Sequence, residues 1–285
     1  MECNSMNIDF FIDNCYRVSE LITKRYSTSF SLAASLMEKE KRQAIYAVYG
    51  FVRLADETVD SLDGFDKAFL LEGLYNDLNY ALEYGISTNA IVVAFADTVK
   101  KYDIKKEHIH AFMESMKADL FKVDYQSATE LSEYIYGSAD VVGLMCLKVF
   151  CNGENTLYNH LQYPAQKLGS AFQKVNFIRD LKDDLQGLGR NYFPEMANTQ
   201  FNTQSKTAIE KDIEKDFSEA WIGVTQLPGR CKLAVALAYY YYKSLFNKIM
   251  RATPEQVLSG RLRISNLRKY LIIVKVMIKY KLKMI

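Results

Sequence analysis

The segment YGFVRLADETVD, residues 49–60, places an arginine, two aspartates and a glutamate within an otherwise apolar run. Read as a helix, it sets Tyr49, Arg53, Asp56 and Asp60 four, three and four residues apart, on one face. Ile45, Val48, Val52, Ala55 and Val59 supply apolar contacts behind that face. Asp56 and Asp60 are like charges at i and i+4, a pairing that costs an isolated helix about 0.2–0.5 kcal/mol. A cation held between them removes the cost, and Glu57 adds a third carboxylate at the edge.

The pattern recurs in QKVNFIRDLKDD, residues 173–184, where Gln173, Asn176, Asp180 and Asp184 are spaced three, four and four. Arg179 stands directly before the first aspartate, and a basic residue also precedes the first pair. One such pair is better read as a solvated face with intrahelical ion pairs. Two pairs, each in an apolar helix and aligned with other polar groups, weaken that reading. Hard cations such as Mg²⁺ bind through one or two carboxylates completed by substrate phosphates. Two DxxxD helices facing each other across a bundle would hold such ions around a diphosphate, with the arginines adding charge-assisted contacts. A carboxylate-bridged di-iron bundle is the competing metal site, but it wants Glu-x-x-His pairs. His108, His110 and His160 offer none.

Around these two segments, apolar residues recur at helical spacing and alternating runs are scarce, so helices are expected and strands are not. The expected helices cover 8–25, 35–62, 66–84, 88–101, 106–118, 128–150, 156–185, 205–224, 229–251 and a last segment from about 264. Breaks fall at turn-forming stretches: DG at 63–64, YGIS at 84–87, CNGE at 151–154, GLGRNYFPE at 187–195 and LPG at 227–229. Only four prolines interrupt the 285 residues, which permits long helices nearly throughout. The expectation is one all-α domain over 1–285, a large helical bundle with ligand groups on facing helices.

Bulk properties exclude several functions. A net charge of +2 is no polyanion binder, and nothing reads as a base-contacting module, so no nucleic acid partner is expected. Five scattered cysteines lack paired metal spacing and read as reduced thiols. The N-terminal MECNSMNIDFFIDN lacks the basic stretch and apolar core of a signal peptide, and no run of about twenty apolar residues occurs, so a cytoplasmic location is expected. The 20 tyrosines and 16 phenylalanines exceed what packing requires, which suggests that some rings line a site.

Further segments, in order, carry a resemblance. STSFS at 27–31 is similar to an early Ser-x-Ser-Phe box, YIYGSADVVGLM at 134–145 to a Tyr-rich box, and GRNYFP at 189–194 to an Arg-x-Tyr segment that follows the second acid motif. Together with the two aspartate motifs, from about Ser27 to about Lys269, they resemble the head-to-head prenyl synthases: squalene, dehydrosqualene and phytoene synthases. One DxxxD is weak evidence; the ordered set is specific. The resemblance implies a helical bundle of the isoprenoid synthase type around a central apolar cavity. It implies Mg²⁺-dependent condensation of two identical isoprenoid diphosphates, with Mn²⁺ able to substitute. Asp56, Asp60, Asp180 and Asp184 would hold the metal ions, with Asn176 and Gln173 completing the metal and phosphate shell. Arg53, Arg179, Arg190 and Tyr192 would contact diphosphate, with Ser27 and Ser29 near it and Phe30 setting cavity depth. Tyr134 matches the tyrosine of the central box, and Tyr241 is taken as a late cavity tyrosine.

Those roles have a physical basis. Metal ions neutralise the leaving diphosphate and let the allylic C–O bond ionise. The carbocation must be kept from water, and aromatic faces stabilise it. VVGLM and GLGRNYFP look most like phytoene synthases, which implies the twenty-carbon geranylgeranyl diphosphate, phytoene as product, carotenoid biosynthesis and no NADPH. Dehydrosqualene or squalene synthesis from the fifteen-carbon diphosphate is the alternative, and a non-catalytic assembly member of the family a second. The sequence departs from the family at Asp140, where relatives commonly carry glycine, and at Glu57, where a third aspartate is frequent.

The last segment, 264–285, is basic and amphipathic. It reads both as a final packed helix and as a peripheral attachment to anionic lipid, each basic residue contributing about 1 kcal/mol near such a surface.

Overall fold

The computed structural model describes residues 2–196 and 201–285. Thirteen α-helices are present among them. α1 (Glu2–Tyr26), α2 (Thr28–Ala34) and α3 (Lys39–Asp60) form the N-terminal part. α4 (Lys67–Tyr84), α5 (Ala90–Tyr102), α6 (Lys106–Ala118), α7 (Ala128–Ile135) and α8 (Val141–Phe150) follow. α9 (Asn155–Asp183), α10 (Thr203–Val224), α11 (Gly229–Arg251), α12 (Pro254–Ser259) and α13 (Asn266–Lys281) complete the bundle. The only β contact among the described residues is an isolated bridge between Asp124 and Asn191.

Local chemistry sets the helix ends. Ser27 caps α2 by accepting from the Phe30 amide, Asn89 caps α5 from Ile91 and Val92, and Asn202 with Ser205 closes a reciprocal box at the start of α10. Gly85 at φ +80° ends α4 in the left-handed conformation. The expected helices are present with four differences, the first being that α1 begins at Glu2 rather than at 8. The helix expected over 128–150 is split by a π-helical turn at Tyr136–Asp140, the one ending near 185 runs into a second π turn at Asp184–Leu188, and the short helices α2 and α12 were not anticipated.

α3 lies at the centre, packed against α1, α4, α5, α6 and α8. Its inward face, Ile45, Val48, Phe51, Ala55 and Val59, is buried, with Phe51 stacked on Phe95 at 4.4 Å between ring centroids. α9 lies between α8 and α10 and buries Ala171, Val175 and Ile178. It crosses the first π turn at Gly169, where a Cβ would meet the Ala139 carbonyl oxygen at 2.8 Å and the Asp140 Cα at 3.0 Å. With their apolar sides committed to the core, α3 and α9 are left to present their polar rows elsewhere. No described helix is long and apolar enough to cross a membrane.

Candidate active site

The acid rows of α3 and α9 are joined through one arginine. α9 runs into the second π turn, which ends at Gly189 with φ +63°, a left-handed conformation that suits glycine. The chain reverses there, and the Arg190 amide donates back to the Asp184 carbonyl at 2.9 Å. The Asn191 amide then donates to the Val123 carbonyl at 2.8 Å, and the Tyr125 amide to the Asn191 carbonyl at 3.3 Å, which pins this loop to the segment after α6. The buried Arg190 guanidinium donates to Asp60 Oδ1 at 3.3 Å, to the Asp119 carbonyl at 2.6 Å and to the Tyr192 hydroxyl at 3.4 Å. One side chain therefore ties the first acid motif to the loop after the second.

The remaining acids are held by other arginines. Arg53 pairs with Asp56 at 2.5 Å and with Glu57, and its guanidinium lies over the Tyr26 ring at 4.5 Å. Arg179 binds Asp180 through both carboxylate oxygens, and Arg261 adds a contact to Asp180 Oδ1 at 2.9 Å. Burial, then the neighbouring Asp60, raises Asp56 to about 6 even against the pull of Arg53. Burial, then Asp180, raises Asp184 to about 7, with Asp60 of the opposite motif adding to the rise. The carboxylates thus crowd one another across the two helices.

Beneath them lies a stack of rings. Phe177 and Tyr192 are parallel at 3.9 Å, Tyr134 and Tyr192 at 5.7 Å, and Tyr125 packs on Tyr134 at 4.9 Å. The Tyr134 hydroxyl donates to Asp119 Oδ2 at 2.9 Å, while Asp119 Oδ1 is buried without a partner. Burial raises Asp119 to about 7, with Tyr134 and Arg190 opposing the rise. A pocket of about 180 Å³ opens beside Asp119 and Arg190, with Lys67 among its lining residues.

The sequence-predicted residues divide into groups. Asp56, Asp60, Asp180, Asp184, Arg53, Arg179, Arg190, Tyr192 and Tyr134 come together as described. Phe30 stacks on Tyr49 at 4.8 Å, so the serine box lies against the acid-bearing face of α3. Ser27 serves as the α2 cap, Ser29 is half-buried beside it, and Gln173 is half-buried one turn before Asn176. Asn176 accepts from the Tyr242 hydroxyl at 3.3 Å, and Tyr242 stacks on Phe172 at 3.9 Å. Tyr241, by contrast, is buried with its hydroxyl unpartnered and raised by burial alone. The α11 tyrosine that contacts the second acid motif is Tyr242. Four consecutive tyrosines cover more than a full turn, and their order alone does not say which one faces α9.

Three other residues were missed. Asp119 and Tyr125 lie just after α6, where no helical spacing marks them, and Arg261 lies just before the basic segment 264–285.

The donors present are hard oxygens crowded by like charge, which suits a hard divalent cation rather than a soft one. Among the described residues no three acids, histidines or cysteines converge as a ready-made cage. Mg²⁺ sites are commonly built that way, with substrate phosphates supplying the missing ligands.

A family model described as squalene/phytoene synthase matches residues 23–268. The chain belongs to the squalene/phytoene synthase family. This family member is 27% identical over 197 residues to a 4,4'-diapophytoene synthase of Staphylococcus haemolyticus (strain JCSC1435), covering 67% of this chain and 66% of that protein. It is 30% identical over 201 residues to a 15-cis-phytoene synthase of Synechococcus elongatus (strain ATCC 33912 / PCC 7942 / FACHB-805), covering 67% and 64%. In both cases the match spans slightly less than two thirds of the relative. The fold is that of a dehydrosqualene synthase crystallised with a ligand, at a TM-score of 0.83 and 24% identity, covering 95% of this chain and 98% of that one. The all-α architecture expected of a prenyl synthase is thereby established.

Proposed function

We propose that this family member condenses two identical isoprenoid diphosphates head to head, with geranylgeranyl diphosphate as substrate and phytoene as product. The observation that carries the reading is the pairing of two carboxylate rows across one arginine, Arg190, above a stack of aromatic rings. Acids and arginines together suit a substrate that is itself a polyanion with counter-cations. An acidic site alone would repel a diphosphate, and a basic one alone would bind no metal.

Asp56, Asp60, Asp180, Asp184 and Asn176 would hold Mg²⁺, which would neutralise the leaving diphosphate as the allylic C–O bond breaks. Arg53, Arg179, Arg190 and Arg261 would bind phosphate oxygens by exchanging their carboxylate partners for them. Tyr134, Phe177 and Tyr192 present ring faces that exclude water and favour a nearby carbocation. In the first half-reaction one diphosphate departs with the C–O electron pair, the alkene of the second substrate attacks the cation, and a proton is lost to close a cyclopropane. In the second half-reaction the other diphosphate departs, the skeleton rearranges and a second proton is lost. Two diphosphates and two protons leave for each hydrocarbon formed, and no hydride enters, so no NADPH is required.

A second reading has specific support. One relative makes up the thirty-carbon class by name, diapophytoene synthase, and the fold match is a dehydrosqualene synthase. Under that reading the substrate is farnesyl diphosphate and the residue roles are unchanged.

The test is a product assay on the purified chain with Mg²⁺ and either the fifteen- or the twenty-carbon diphosphate, with and without NADPH, the hydrocarbon being identified by mass. A forty-carbon product independent of NADPH and lost in EDTA supports the proposal. A thirty-carbon product transfers it to the second reading. No product from either substrate with a folded protein would overturn both and favour a non-catalytic assembly role.

A further inference from the structure

α13 joins the bundle through one side only. Ile272 and Val276 are buried against α11. Arg268 donates to Ser244 at 3.3 Å, Lys279 to the Tyr240 hydroxyl at 3.1 Å and Tyr280 to the Gly229 carbonyl at 3.2 Å, so the two helices run antiparallel along their length. A helix packed this way ordinarily turns charged residues to solvent.

α13 does not. Leu267, Leu271, Val274, Ile278 and Leu282 recur at spacings of four, three, four and four on the opposite side, and are 70%, 53%, 40%, 51% and 64% exposed. Tyr270, 64% exposed, widens the stripe. The helix is thus apolar on two faces, of which only one is covered. Basic residues lie between and beyond these faces. Arg261, Arg263, Arg268, Lys269, Lys275, Lys279, Lys281 and Lys283 occur with no acid from 261 to 285.

We propose that the outer face of α13 docks on an anionic lipid bilayer. The aliphatic stripe would enter the boundary between headgroups and acyl chains, and the flanking lysines and arginines would meet headgroup phosphates. Interfacial helices have this composition: an apolar stripe, a basic rim and low mean hydropathy. Charge separates this occupant from the others. A second copy of the chain seated face to face would bring two uncompensated basic rims together, since a twofold contact pairs a surface with itself. Nucleic acid would satisfy the cations and leave the aliphatic stripe unpaired.

The docking face is connected to the acid site. Arg261 contacts Asp180, and Lys182 donates to the Ser259 carbonyl at 3.0 Å, so the strand of chain entering α13 is anchored on the second acid motif. A bilayer under α13 would therefore lie close to the site that, on the proposed function, must receive an isoprenoid chain. The docking itself does not depend on that function.

The test is co-sedimentation of the full chain with vesicles of phosphatidylcholine alone or with added phosphatidylglycerol, at low and high salt, beside sedimentation velocity without lipid. Binding is expected to the anionic vesicles at low salt, weaker by at least about tenfold on the neutral ones, since each basic residue contributes about fivefold. Leu271→Gln/Ile278→Gln should abolish binding, and Lys281→Gln/Lys283→Gln should weaken it about twenty-fivefold by the same arithmetic. Phe69→Gln, which changes an exposed ring on α4, should leave it intact. These positions are exposed, so circular dichroism should show every variant folded. Absent binding to anionic vesicles, or equal binding by wild type and the Leu271/Ile278 variant, would overturn the proposal. So would a dimer that the Leu271/Ile278 variant dissociates, which would assign the face to a second copy.

Discussion

Asp140 closes the first π turn and ionises in poor surroundings. Its Oδ1 is buried with no partner. Across from it, Asp216 is fully buried and takes up the nearby donors: Lys167 at 3.0 Å, Ser170 at 3.0 Å and Lys174 at 2.6 Å. Asp212 also binds Lys174, and Glu219 lies 3.9 Å from Lys167. The two lysines are thus shared with other acids, and together with the Ser170 amide they offset only part of the rise. Burial, then the charge on Asp216, raises Asp140 from its ordinary 3.8 to about 7. A carboxyl raised on folding holds its proton better in the folded state. Its contribution is fully favourable below about 4, is lost as pH rises from about 4 to about 7, and is constant above that. Three pH units correspond to a ceiling of about 4 kcal/mol, a large fraction of the roughly 5–15 kcal/mol by which domains are stable. Asp140→Asn keeps the shape and removes the titration. The variant should therefore come closest to wild type in urea unfolding near pH 4 and exceed it at pH 8, by about 1–4 kcal/mol once local relaxation is allowed. A stability difference that does not change with pH, or a variant less stable at pH 8, would refute the account and mean that Asp140 is a paired charge in the folded protein.

Four further outcomes are expected. Arg190→Gln should lower kcat/KM about 10²–10³-fold, the scale for losing one preorganised donor to developing negative charge, with near-wild-type circular dichroism. Tyr134→Phe removes the donor to Asp119 Oδ2 and leaves both carboxylate oxygens unpaired, so urea unfolding should show a loss of about 1–3 kcal/mol. Gly169→Ala forces a methyl against the Ala139 carbonyl and should cost about 1–3 kcal/mol, read as a lower thermal midpoint. Calorimetric titration should find Mg²⁺ bound at least about tenfold more tightly when inorganic diphosphate is present, since the phosphates complete its shell, and Asp56→Asn should remove that gain.

Most of the helices, and both acid rows, were legible because helical period and apolar periodicity coincide over long stretches. α3 shows why: the residues that bury it and the residues that carry the acids follow the same 3.6-residue repeat on adjoining faces, about a quarter-turn apart. The illegible parts were those where period carries no information. The π turns at Tyr136–Asp140 and Asp184–Leu188 insert a residue into an otherwise helical pattern, and the apolar spacing on either side continues nearly unchanged. Asp119 acts through tertiary placement, brought to Arg190 by the bridge between Asp124 and Asn191, two loops far apart in sequence. Tyr242 went unmarked because a run of identical residues hides a rotation of about 100° per position. Arg261 was hidden by company: among eight basic residues, the one that reaches Asp180 has no mark of its own.

The arrangement of the site follows from what it must do in the absence of substrate. Asp56 and Asp184, whose carboxyls burial and their acidic neighbours push up, would repel those neighbours and splay if nothing lay between them. Permanent cation ligands would solve that problem but would bind a diphosphate whether or not the rest of it fitted. Arginines solve it reversibly. Arg53, Arg179, Arg190 and Arg261 each hold an acid in the structure, and each carries a planar set of donors that matches phosphate oxygens equally well. An arriving diphosphate can take those donors, and the carboxylates it displaces are then free to bind the cations it brings. On the proposed function, binding of anion and cation would thus be one exchange, and each row would have a part in it. With one row, released carboxylates would meet the diphosphate from a single side; with two rows tied through Arg190, they enclose it.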